Sequence, residues 1–110
     1  MKNIQLTCAH ALVKFLIAQK TLIDGKKLPL FPGVFGIFGH GNVACLGQAL
    51  QENQKDLPTW RGHHEQNMAL TGIGYARAKR RQQIFIATSS VGPGATNMVT
   101  AAGVAMSNRL

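Results

Sequence analysis

Three short runs, each followed closely by glycine and polar residues, constrain the fold of this chain more than any other feature. They cover residues 34–38, 57–60 and 83–88. The first, Val-Phe-Gly-Ile-Phe, is nearly all apolar, which is typical of a strand covered on both faces in a parallel sheet. Residues 57–60 are a short second strand candidate, and residues 83–88 are the third. The sequence therefore predicts three strands of one parallel sheet.

Helical segments separate these strands. Thr7 can cap a helix that extends to about residue 19, because apolar residues recur there at helical spacing. Glycine and proline predict a loop over residues 24–33. Three further helices are predicted over residues 43–51, 63–79 and 95–108. This alternation predicts an α/β fold: a three-layer parallel sheet with helices on both faces, with residues 1–110 forming one partial domain.

The charge balance first suggests a nucleic-acid partner, because 12 Lys and Arg face only four acids, for a formal net charge of +8. The densest basic run, residues 79–81, falls where a helix should end, and cations there complement the helix dipole. No aromatic residues are interleaved with the basic ones to stack on bases. We therefore expect no nucleic-acid partner, and acids in a longer protein would offset the charge.

Other functional classes find little support in the sequence. No two of the four acids lie close together in a metal-binding loop, and the adjacent pair His63 and His64 lacks the helical spacing of metal ligands, so we expect no metal site in this chain. Cys8 and Cys45 are expected to be reduced and buried. No signal peptide or membrane-spanning stretch is visible, which predicts a cytoplasmic location with no membrane partner.

Three polar segments that contain glycine follow the predicted strands. They are residues 39–42, 62–65 and 89–97. In an open parallel sheet, ligands bind beyond the carboxyl ends of the strands. The sequence therefore predicts one binding site where these three segments converge.

These segments contain the candidate site residues, and two of the signals also allow a purely structural interpretation. Glu65 is a ligand-binding acid or a glutamate that only interacts with a helix dipole. The turn Gly92-Pro93-Gly94 presents free N–H groups to an anion or carbonyl, or is only a sharp turn that needs glycine. His40, flanked by glycines, is accessible and can exchange a proton near physiological pH.

Taken together, the motifs resemble a known family. They are residues 34–41 (VFGIFGHG), residues 65–69 leading into 74–77, and residues 88–97 (TSSVGPGATN). In this order they resemble the pyrimidine-binding domain of thiamine-diphosphate-dependent enzymes, in the acetohydroxyacid synthase and decarboxylase superfamily. Within it, residues 38–43 look most like members that open a cyclic 1,2-diketone with water in myo-inositol catabolism.

The resemblance implies a cofactor and the residues that contact it. Thiamine diphosphate would be bound with the help of Gly92, Pro93, Gly94 and Asn97, and Glu65 would activate it. That glutamate would share a proton with a ring nitrogen of the cofactor's aminopyrimidine. We therefore expect the pKa of Glu65 to be raised in an apolar, desolvated cleft.

The resemblance also implies a larger assembly. His40 would orient the cyclic diketone substrate or transfer a proton. The active site would form with the diphosphate-binding domain of a second subunit in a homo-oligomer. The diphosphate and Mg²⁺ motif of the family, Gly-Asp-Gly followed by Asn-Asn, is absent here. Mg²⁺ would thus be bound by that other domain, and this chain alone is expected to be an inactive N-terminal fragment.

Two alternative functions remain open at the level of sequence. One is a different reaction of the same superfamily, such as that of an acetohydroxyacid synthase or a 2-oxoacid decarboxylase. The other is a non-catalytic α/β module that binds a small anion at the helix start after Gly92.

The sequence departs from the family pattern around Glu65. His64 and Asn67 stand where the family resemblance predicts Asn and Gly.

Overall fold

The computed structural model describes residues 3–110 and contains helices, a hairpin and a three-stranded sheet. In chain order the elements are α1 (Cys8–Ala18), β1 (Lys20–Ile23), β2 (Lys26–Pro29), β3 (Val34–Gly36), α2 (Gly39–Asn42), a π-helical segment (Val43–Gly47), α3 (Gln48–Glu52), β4 (Thr59–Arg61), α4 (Glu65–Ala78), β5 (Ile86–Thr88), α5 (Pro93–Asn97) and α6 (Val99–Ser107).

The central sheet is parallel, as the sequence predicts. Its strand order is β4-β3-β5, and Val34 lies opposite Thr59 on one side and Ile86 on the other. Each strand is shorter than predicted, with three residues in the regular ladder. The pairing continues for one more bond beyond β3, because the Ile37 N–H donates to the Thr88 carbonyl at 3.1 Å.

Helices cover both faces of the sheet, which confirms the three-layer prediction. On one face, Val34 packs into a fully buried cluster with Val13 from α1 and Leu50 from α3. On the other face, Phe35 packs against Phe85 with ring centroids 5.0 Å apart, and Phe85 packs edge-on against Tyr75 of α4 at 4.6 Å. The opposite orientation of Val34 and Phe35 follows from the alternation of side chains along a strand.

The prediction of a loop over residues 24–33 is wrong for β2, which pairs with β1 in an antiparallel hairpin. Asp24 and Gly25 both have positive φ, at 48° and 75°. Left-handed backbone at both central residues is the geometry of a two-residue hairpin turn, and Asp-Gly favours it. Pro29 is tolerated because this strand has a free edge.

Two further predictions need correction. Residues 40–42, predicted as a turn, form the short helix α2, and the helix predicted over 95–108 starts earlier, at Pro93, and is divided at Met98. Proline is well suited to the first turn of a helix, because its missing N–H has no partner there anyway. Cys8 and Cys45 are free thiols, but both are exposed rather than buried.

The helix that carries the candidate acid is defined at both ends. The His64 ring nitrogen Nδ1 accepts from the Gln66 N–H at 3.2 Å and caps the start of α4. At the other end, the Arg81 N–H donates to the Ala76 carbonyl at 2.7 Å. None of the helices formed by residues 3–110 is long and apolar enough to cross a membrane.

Candidate functional site

The segments that follow β3 and β5 meet beyond the carboxyl end of the sheet, as the sequence predicts. A Cβ atom on Gly39 would lie 2.6 Å from Cβ of Ser90, so the two backbones approach each other closely. Gly39 also has a φ of 65°, a conformation that favours glycine. The Asn42 side-chain amide donates to the Ser89 carbonyl at 3.3 Å. Gly39 thus allows the two segments to approach closely, and the Asn42 hydrogen bond joins them.

Glu65 joins this edge from the third segment. It is the first residue of α4, four positions after β4 ends, and its residue exposure is only 9%. Its Oε2 accepts from Nδ2 of Asn97 at 3.2 Å. A Cβ atom on Gly94 would lie 2.9 Å from its other oxygen, Oε1. The sequence-predicted residues Glu65, Gly94 and Asn97 are therefore in direct proximity.

The pKa of Glu65 is lowered in this structure, and the expectation of a raised pKa is wrong for the chain by itself. The leading cause is the hydrogen bond from its own backbone N–H at the helix start, followed by the bond from Asn97. Burial acts in the opposite direction but is weaker, and His64 adds a small further lowering. Donors aimed at the ionised form outweigh the loss of hydration.

The turn before α5 depends on glycine. Gly92 has φ 68° and ψ −123°, a region that only glycine visits readily, and Pro93 then begins the helix. Gly94 is buried against Ser90 and Glu65. Because α5 has only five residues, its dipole is short, and the structure adds little to the interpretation of this turn as an anion site.

His40 lies in a separate part of the same edge. Its side chain is exposed in a cleft of about 390 Å³ that Ser90 and Val91 line from the opposite segment. No hydrogen bond joins His40 to Glu65. Ser90 touches both parts of the site, since it contacts Gly39 and Gly94. The structure therefore places His40 at the edge with Glu65 but not against it.

Sequence reasoning missed two residues that organise the edge, Ser90 and Asn42. Both belong to segments that the sequence marks as converging, yet neither carries a motif of its own. Their contacts depend on how β3 and β5 pair, and the pairing of strands is not encoded in local spacing.

Among residues 3–110, no group of three or more His, Cys, Asp or Glu side chains lies together as a metal site would require.

The arrangement presents a carboxyl group that can form hydrogen bonds. A buried carboxyl group beside a residue without a side chain can donate or accept a hydrogen bond at a ring nitrogen, according to its protonation state. Glu65 supplies that group, and Gly92, where an added Cβ would meet nothing within 4 Å, leaves the backbone of the nearby turn open. The cleft next to His40 offers space for a second, reacting molecule.

The fold and this edge define an α/β domain with an open parallel sheet, a class of domain in which ligands bind beyond the carboxyl ends of the strands. The family described as thiamine pyrophosphate enzyme, N-terminal TPP binding domain, matches residues 32–110. That match covers more than half of the chain, and the chain belongs to this family. The family resemblance drawn from the sequence motifs is confirmed.

Named relatives point to one branch of the family. The chain is 53% identical over 110 residues to the 3D-(3,5/4)-trihydroxycyclohexane-1,2-dione hydrolase of Geobacillus thermodenitrificans. It is 49% identical over 110 residues to the enzyme of the same name from Clostridium tetani, and 49% over 109 residues to that from Listeria innocua. All or nearly all of this chain is covered, but it spans only 17% of the length of each relative. No solved structure matches the chain.

Proposed function

We propose that this chain is the pyrimidine-binding portion of a thiamine-diphosphate-dependent hydrolase that cleaves a carbon–carbon bond of a cyclic 1,2-diketone in inositol catabolism. The observation that carries the proposal is the buried Glu65 at the carboxyl edge, hydrogen-bonded to Asn97 and packed on Gly94. The relatives, about half identical over the whole chain, support the substrate class.

The proposal includes the surroundings of the domain. The diphosphate-binding domain of a second subunit in a cytoplasmic homo-oligomer completes the site, and that domain binds Mg²⁺. The small number of acids in the chain supports this part of the proposal. Besides Glu65 the chain has only Asp24, Glu52 and Asp56, and no two of the four lie in one metal-binding loop. A hard cation that prefers carboxylates needs ligands from elsewhere.

The proposed role of Glu65 is to hold a proton at the pyrimidine ring. When bound, thiamine diphosphate supplies the electron sink for carbon–carbon cleavage. Glu65 would share its carboxyl proton with a ring nitrogen of the aminopyrimidine. Gly92, where an added Cβ would meet nothing within 4 Å, would leave room for that ring beside the backbone. Pro93 fixes the first turn of α5 and so the position of Gly94.

This role requires a carboxyl group that keeps its proton near neutral pH, whereas the pKa of Glu65 is lowered in the chain alone. A second subunit that covers the edge would exclude the remaining water from the carboxyl group. Desolvation disfavours the ionised form, so the pKa would rise on assembly. The proposal therefore assigns the activation of Glu65 to subunit contact.

His40 is proposed to act on the substrate rather than on the cofactor. It lies in the cleft next to Ser90, with glycine on both sides and an exposed ring. An imidazole there can orient a hydroxyl or carbonyl group of the diketone, or transfer a proton to it.

A chimera tests the proposal. These 110 residues would replace the matching segment of the Geobacillus thermodenitrificans relative, which they match over their whole length. We expect the chimera to assemble, to bind thiamine diphosphate and to hydrolyse the cyclic diketone. A chimera that assembles and binds the cofactor but shows no turnover would contradict the proposal.

Variants of the chimera then separate the residues. Glu65→Gln removes the acid but keeps the shape, and we expect kcat to fall by about 10²–10⁴-fold, as for loss of a general acid. Glu52→Gln is the matched control: Glu52 is exposed and binds His10 at 2.8 Å, away from the edge, so its loss should leave kcat unchanged. His40→Ala should lower kcat without weakening cofactor binding. Normal turnover by the Glu65 variant would refute the assignment.

A further inference from the structure

The two carboxyl oxygens of Glu65 have different surroundings. Oε2 accepts a hydrogen bond from Nδ2 of Asn97 at 3.2 Å. Oε1 lies on the Gly94 side, where an added Cβ would approach it to 2.9 Å. One oxygen thus faces a side-chain amide, and the other faces a residue that has no side chain.

The chemistry of these groups decides where a proton can reside. An ionised carboxylate only accepts hydrogen bonds, so Asn97 has to present its NH₂ group to Oε2. An NH₂ group does not accept a proton from that oxygen. The carbonyl oxygen of a neutral carboxyl group is a better acceptor than its hydroxyl oxygen, so while this bond is kept Oε2 is favoured as the carbonyl oxygen and Oε1 as the oxygen that carries the proton.

We propose that Asn97 is a positioning residue, which acts through Glu65 and directs the carboxyl proton to Oε1, the oxygen beside Gly94. This inference deepens the proposed function and rests on it in one respect, namely that Glu65 shares its proton with a ring nitrogen. The family resemblance gives Asn97 a direct contact with the cofactor. The hydrogen bond to Oε2 gives it an indirect role instead.

Local structure supports this assignment. Asn97 ends α5 and Gly94 lies one turn earlier in the same helix, so one short element contacts both oxygens of the carboxyl group. The hydrogen bond from Asn97 is among the causes that lower the pKa of Glu65. Loss of the amide donor should therefore free the side chain to rotate and favour its protonated form.

The first test measures the titration of Glu65 directly. The chain contains only two glutamates, Glu52 and Glu65. Selective ¹³C labelling of the glutamate carboxyl carbon gives two NMR signals, and the Glu52→Gln variant assigns them. In Asn97→Ala we expect the Glu65 titration to move upward in pH while the Glu52 titration stays where it is.

Two further variants keep this test decisive. Asn97→Asp preserves the shape of the side chain but replaces the donor with a like charge, so it should also move the Glu65 titration upward, even if the alanine variant does not fold. Thr96→Ala is the matched control, because Thr96 Oγ1 donates only to the Pro93 carbonyl, at 3.0 Å, in the same helix. A Glu65 titration that is the same in wild type, both Asn97 variants and the control overturns the inference.

The second test uses the chimera described above. We expect Asn97→Ala to lower kcat about 10–100-fold, the range for a misplaced catalytic group, with a smaller change in KM. The limb of the pH profile that belongs to Glu65 should move in the same direction as the NMR titration. If the titration moves but neither kcat nor the pH profile changes, the positioning of Glu65 by Asn97 stands and the proposed catalytic role of Glu65 fails.

Discussion

The packed face beneath α1 and α3 differs from the carboxyl edge of the sheet in how each uses side-chain volume. The packed face is filled by aliphatic side chains with almost no exposure, among them Val13, Leu50 and Leu57. At the edge, two glycines, Gly39 and Gly94, leave no room for another atom, because an added Cβ at either position would clash with Ser90. The first region is therefore sensitive to the removal of atoms, and the second to their addition.

This difference separates stability from function. Close-packed aliphatic groups contribute free energy of folding because they are removed from water. The close approach of segments at the edge contributes little apolar burial, but it places Glu65 and Asn97 within hydrogen-bonding distance. Substitutions in the two regions should thus affect different measurements.

The largest expected effect comes from removing atoms from the packed face. Leu57 is fully buried, so Leu57→Ala should lower the free energy of unfolding by about 2–5 kcal/mol. Urea unfolding of the chain measures this change. The control is Leu22→Ala, since Leu22 is 70% exposed on β1 and its loss should change stability by less than about 0.5 kcal/mol. Equal losses in both variants would show that the packed face is not the core.

Adding one carbon at the edge should have a smaller effect. Gly39→Ala forces a φ of 65° on alanine and brings its Cβ to 2.6 Å from Ser90. We therefore expect the free energy of unfolding to fall by about 1–3 kcal/mol. Gly41→Ala is the matched control two residues later in the same helix. An added Cβ there meets nothing within 4 Å, so stability should stay the same or rise by up to about 1 kcal/mol. If both variants unfold at the same urea concentration, the edge is not closely packed.

The same contrast explains what the sequence can predict. Apolar runs such as residues 34–38 predict a buried strand whatever its pairing partners are. The parallel sheet and its two helical layers could therefore be predicted. Glu65, Gly94 and Asn97 could be placed at one edge because each follows a strand. The contacts among them could not, since Ser90 acquires its role only when β3 and β5 pair.

Other errors have equally physical causes. The hairpin β1–β2 was hidden because its Asp24-Gly25 turn and Pro29 also fit a loop, and the pairing partner decides between the two. The lowered pKa of Glu65 was missed because burial is evident from an apolar context, whereas the donors that oppose it are not. They are a backbone N–H at a helix start and one amide from a residue 32 positions away.

The smallest expected effect is the pH dependence that Glu65 adds to stability. Its pKa is lower in the folded chain than its ordinary value, so its ionised form stabilises the fold above the ordinary value, and this contribution is lost as the pH falls through the folded pKa. Asn97 is exposed, so water competes with its hydrogen bond and the effect stays small. The free energy of unfolding, measured between neutral and acidic pH, should decline less steeply with falling pH in Glu65→Gln than in wild type. Glu52→Gln should also flatten the curve, because the bond from His10 is the first cause of its lowered pKa. In the Asn97→Ala background the Glu65 contribution should become smaller but persist, because the backbone N–H at the helix start is the larger cause of the lowered pKa and is kept, while the Glu52 contribution should not change. A Glu65 contribution of the same size with and without Asn97 would mean that the helix start alone, and not the edge contact, holds the carboxylate.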